Sequence, residues 1–151
     1  MRKVLWVPFF AFTLFAVMLL SALPSYAQSP NYDVGPVWRV TYYHIRPGQG
    51  EAFWKDVREH LKPVYESLKK EGLLSDVKFW LNDTTDHPGD WDVAIGFLYP
   101  NYAAIDGIDA KAATIVAKHY GSRDAMLEAG KKRQDLREVV MSKLAREVMP
   151  K

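Results

Sequence analysis

The chain has 151 residues, no cysteine, and 20 basic against 18 acidic side chains, for a formal charge of +2. So even a balance offers no electrostatic footprint for nucleic acid or an anionic membrane. The missing cysteine excludes disulfides, a thiol nucleophile and lipoprotein anchoring.

The amino terminus has the pattern of an export signal. Met1-Arg2-Lys3 is basic, Leu5 to Leu20 is nearly all apolar, Pro24 breaks the run, and Ser25-Tyr26-Ala27 places small residues where a signal peptidase requires them. The pattern predicts cleavage after Ala27 and a mature chain starting at Gln28, in the periplasm or outside the cell. An uncleaved anchor is the alternative, since the apolar run is near the lower limit for spanning a bilayer. Loss of Arg2 and Lys3 leaves 18 charges of each sign. Residues 1–27 are thus set aside as signal, residues 28–35 as an unstructured lead-in, and residues 36–151 as one α+β domain.

Val37 to Ile45 predicts a strand from its β-branched and aromatic content, with Pro36 before it and Pro47-Gly48 after. Alternation puts Trp38, Val40, Tyr42 and His44 on one face and Val37, Arg39, Thr41, Tyr43 and Ile45 on the other. Neither face is clearly polar, so both need cover. Glu51 to Glu71 predicts one amphipathic helix whose stripe is Phe53, Trp54, Val57, Leu61, Val64, Tyr65 and Leu68. Trp54 is expected deep under it, Pro63 should bend it, and Gly72 should end it. Val77 to Leu81 and Trp91 to Tyr99 predict two more strands around a polar loop. The latter strand puts large residues from Trp91 to Tyr99 on one face and Asp92, Ala94, Gly96 and Leu98 on the other. Small residues there leave room for close packing or for a cavity.

A short turn over Asn101 to Ile108, a helix from Ala110 to Tyr120 closed by Gly121, and a helix from Arg123 to about Lys143 capped by Ser122 follow. The last helix should bury Met126, Ala129, Leu136, Val139 and Val140, with Gly130 in its interior. Leu144 to Met149 should be a brief edge strand. The order is ferredoxin-like βαββαβ: a four-stranded antiparallel sheet with helices on one face, its other face bare unless a second copy covers it.

The opening strand, the Arg46-Pro47-Gly48 exit and the helix with Phe53 and Trp54 resemble the dimeric α/β-barrel superfamily, in particular its antibiotic-biosynthesis-monooxygenase-like and NIPSNAP-like families. The DHPGDWDV and NYAAIDG stretches are similar to those of secreted bacterial proteins of comparable length. The resemblance implies a homodimer. It does not imply one activity, because the superfamily holds cofactor-free monooxygenases, haem-handling enzymes and isomerases. None of their catalytic motifs maps onto numbered positions here.

Residue chemistry supplies two function classes. One is an exported dimer that binds a small apolar or aromatic ligand, or a partner protein, using Tyr42, His44, Trp80 and Trp91. The other is a cofactor-independent oxygenase or isomerase whose general base is His44, oriented by Asp92. His44 at a strand end could equally be a structural histidine or an axial haem ligand. Asp86, His87, Asp90 and Asp92 cluster in the polar loop, where turn formation explains them better than a metal does. His119 next to Gly121 suits a helix carboxyl end, and Lys131-Lys132-Arg133 with Arg137 reads as a solvated face. No Gly-rich phosphate loop, serine elbow or cysteine nucleophile is present, which leaves nucleotide use and covalent thiol or acyl chemistry unsupported; no metal and no cofactor is expected.

Overall fold

The computed structural model describes residues 31–151; the expected signal segment and its expected cleavage site lie outside the described residues. The elements are β1 (Tyr32–Ile45), a helical run α1, β2 (Asp76–Leu81), β3 (Val93–Tyr99), a 3-10 turn (Tyr102–Ile105), α2 (Ile108–Tyr120), α3 (Arg123–Leu136) and β4 (Arg137–Pro150). The four strands form one antiparallel sheet in the order β2-β3-β1-β4. The arrangement is α+β and compatible with a ferredoxin-like fold.

β1 is longer than its sequence suggested, since Tyr32, Asp33 and Val34 pair with Pro150, Met149 and Val148. Part of the expected lead-in is therefore strand. The ladder slips between Val34 and Val37. Pro36, which has no N–H to give, sits in that bulge, where a proline is tolerated. The alternation along β1 is as read. Val37 is fully buried, and Tyr43 and Ile45 pack on the core of Phe53, Val57, Leu61, Val93 and Ile95.

α1 consists of Gly50–Asp56, a π turn over Val57–Leu61, and Lys62–Lys70. The stripe runs unbroken across Pro63, as expected of one helix. The backbone adjusts by a π turn, with the Lys62 N–H donating to the Val57 carbonyl five residues back. Pro63 explains the position, because it has no N–H for the Glu59 carbonyl and its ring crowds that group. Phe53, and not Trp54, is the residue driven fully inward, at 1% exposure; Trp54 is half-buried with its ring edge-on to Phe53 at 5.1 Å.

The end of α1 builds a second cluster from Val64, Leu68, Leu74, Tyr99 and Ile108, against which Ile115, Val116 and Tyr120 of α2 pack. α2 therefore lies on the helix side of the sheet and does not cover the other face. Gly121 ends it in the left-handed region at φ +83°, and Ser122 caps α3 by accepting the Ala125 N–H. α3 is fixed to α1 by a two-pronged ion pair from Arg133 to Asp56 at 2.7 and 3.1 Å, both side chains about 85% buried.

α3 stops at Leu136, seven residues before the expected end, and residues 137–143 are strand. Two features favour the strand. Val139-Val140 is a β-branched pair, and the ladder to β1 supplies partners that no helix cap offers, including the Arg46 N–H to the Leu136 carbonyl. Val139 is 61% exposed, not core. Among the described residues no helix is long and apolar enough to cross a membrane.

Phe53→Ala should cost about 3–5 kcal/mol in chemical denaturation, the range for emptying a filled aromatic site. Trp54→Ala should cost clearly less, and the reverse order would contradict this packing.

Candidate functional site

Cross-strand pairing fixes what the uncovered face carries. Trp38, Val40, Tyr42 and His44 of β1 stand beside Leu98, Gly96 and Ala94 of β3 and Ala145, Lys143 and Met141 of β4. Trp80 of β2 leans over β3 and meets Trp38 edge-on at 5.8 Å. Gly96 makes this possible. A Cβ there would lie 2.6 Å from the Trp80 ring and 3.1 Å from that of Trp38, so the small residue serves close packing. The Trp38 indole N–H donates to Glu147 Oε1 at 2.6 Å, tying the cluster to β4.

One step along the strands, Val40, Tyr42, Trp80, Leu81, Trp91 and Ala94 line an apolar concavity of about 300 Å³. Trp91 meets Tyr42 edge-on at 5.2 Å. The sequence placed Trp91 with Val93 and Ile95. It instead precedes β3, escapes the alternation, and turns to the opposite face. Three of the four expected ligand-binding residues, Tyr42, Trp80 and Trp91, thus converge, and His44 does not line the concavity.

His44 and Asp92 do come together. His44 Nδ1 lies 3.0 Å from Asp92 Oδ2 and 3.1 Å from the Asp90 carbonyl. Both neighbours are acceptors, so Nδ1 carries the proton and Nε2 is left as the basic nitrogen. The same carboxylate oxygen accepts the Ile45 N–H at 2.6 Å. The pair is half open to solvent, at 29% and 42% exposure. It is an oriented histidine at the rim of the sheet, without the dry enclosure that general-base chemistry exploits.

The loop between β2 and β3 is held by turn chemistry. Asp90 accepts from the Trp91 and Asp86 N–H groups and from the Asn82 amide, while His87 Nδ1 accepts the Gly89 N–H. These bonds, the backbone ones foremost, hold the Asp90 carboxyl below the usual aspartate range. His119 meets His60, its Nε2 3.3 Å from His60 Nδ1, where α2 packs on α1.

Two arginines assigned to a solvated face turn inward instead. Arg133 holds Asp56 and the Tyr120 hydroxyl. Arg137 stacks on the Tyr43 ring, 4.0 Å from its centre. The sequence signal for this second region was Gly130, a residue costly inside a helix and spaced three and seven residues before these arginines. No family model, curated protein or solved structure matches the chain.

Gly96→Ala should push the Trp80 indole off Trp38 into solvent, and circular dichroism should lose the exciton signal of the paired rings; an unchanged signal would refute the contact. Asp90, depressed when folded, stabilises the loop above the unfolded aspartate pKa. That stabilisation should vanish as pH falls through the lower folded value, below about 3.9. The Trp91 and Asp86 amide resonances should report it by titrating below that point.

Proposed function

We propose that the chain is an exported binding protein that acts as a homodimer closed over its aromatic sheet face, in the manner of the dimeric α/β-barrel superfamily. It would hold a small apolar or aromatic ligand in the concavity of Tyr42, Trp80 and Trp91. The observation that carries this reading is the content of that face. Two edge-on aromatic pairs, Val40 and Leu98 share a surface that no helix of the described residues overlies. Contiguous apolar surface of this kind marks an interface or ligand site, and two-fold pairing is the commonest cover. Export rests on the amino-terminal pattern.

The Asp92–His44 hydrogen bond favours a second reading, in which the dimer encloses His44 Nε2 and turns it into a general base for an oxygenase or isomerase reaction. A partner copy would have to supply the missing enclosure. In that case an aromatic substrate should turn over, and His44→Asn should abolish turnover while leaving its binding intact.

Equilibrium sedimentation tests the main reading. The wild type should be a dimer at concentrations on the order of 10 µM. Val40→Lys, which sets a cation beside Lys143 on this face, should dissociate it while leaving the far-ultraviolet circular dichroism of a folded monomer. A monomeric wild type would sink the proposal.

A further inference from the structure

On the helix side of the sheet, away from the aromatic face, a cleft of about 510 Å³ opens between the end of β1, α3 and the start of β4. Three guanidinium groups line it, those of Arg46, Arg133 and Arg137. Their partners differ. Arg133 is neutralised by Asp56. Arg46 gives its Nε–H to the Gln134 carbonyl at 3.0 Å and lies 3.8 Å from the Glu138 carboxylate. Arg137 has no carboxylate within ion-pair range among the described residues. Its guanidinium carbon lies 4.0 Å from the centre of the Tyr43 ring and 5.6 Å from that of Phe53, and its Nη1 is buried without an acceptor among the described residues.

A buried donor on a cation left without an acceptor is costly. We propose that this cleft is a binding site for a small organic carboxylate, with Arg137 as the group that recognises it. Charge selects the class. Three arginines against Asp56 and Glu138 leave one positive charge, which matches a monoanion better than a phosphate dianion. The guanidinium of Arg137, held over the Tyr43 ring, suits the charge of a carboxylate. Tyr43 and Val139 also line the cleft and offer an apolar wall to the body of the ligand. Gly130 leaves the floor open, because a Cβ there would meet nothing within 4 Å. A helix-weakening residue that faces a cleft keeps its volume free.

Calorimetric titration of the full chain with benzoate, its neutral analogue benzamide, and inorganic phosphate tests the assignment. Benzoate should bind with a dissociation constant on the order of millimolar or tighter, and benzamide should not. Arg137→Gln should weaken benzoate by about tenfold or more, the scale of a lost charge-assisted hydrogen bond. Gly130→Phe, which keeps every arginine and fills the cleft, should abolish binding with an unchanged circular dichroism spectrum; it also decides the matter if Arg137→Gln does not fold. Absent benzoate binding, equal binding of benzamide, tighter binding of phosphate, or a benzoate signal untouched by both substitutions would each overturn the proposal.

Discussion

Everything in this fold depends on β1 having two faces that both reject water. An interior strand, it is paired to β4 along most of its length and to β3 from Val37 to Tyr43, so most of its backbone groups are satisfied and its side chains decide the layers. One face sends Val37, Tyr43 and Ile45 into the helices. The other sends out Trp38, Val40 and Tyr42, which only neighbouring side chains shield. A single domain with its helices on one side can meet half of that demand. The other half is the ground on which a second copy is proposed as its cover.

The two sides solve their packing differently. Under α1 the large residues of β3, Val93 and Ile95, meet Phe53 and Val57 in interlocked layers, and a π turn lets the helix keep that contact through Pro63. On the open side β3 offers only Ala94, Gly96 and Leu98. Indoles from the flanking strands fold inward over that low ground and pack edge-on, one ring presenting its positive rim to the other's face. Beneath the helices a third environment arises, where arginines reach in from α3 and β4 and only some of them find carboxylates.

Local chemistry made much of this legible. Gly72, Gly121 and Ser122 ended and began helices where their conformational preferences said they would. The stripe from Phe53 to Leu68 and the alternation along β1 gave the layers. Long-range terms decided the rest. Val139 and Val140 fit a helical stripe, yet both lie in β4, where Val139 pairs with Tyr43 of β1. Trp91 fit an alternation that begins two residues too late to include it. Arg133 and Arg137 look like surface cations until Asp56 and Tyr43, distant in sequence, are brought beneath them. The meeting of His44 with Asp92 was readable because both lie at the ends of predicted strands, but its openness to solvent was not.

The wiring of β1 has a kinetic consequence. Both of its ladders close large loops: Thr41 meets Ser142 across 101 residues. No hairpin can shelter this strand while the chain is being made. One of its edges waits unpaired until residues 137–150 exist. Such high contact order slows folding and lengthens the time an unpaired strand is open to aggregation. For a chain threaded unfolded through a membrane, late closure would be an asset, and the same delay would make holding chaperones more important to its yield than its final stability.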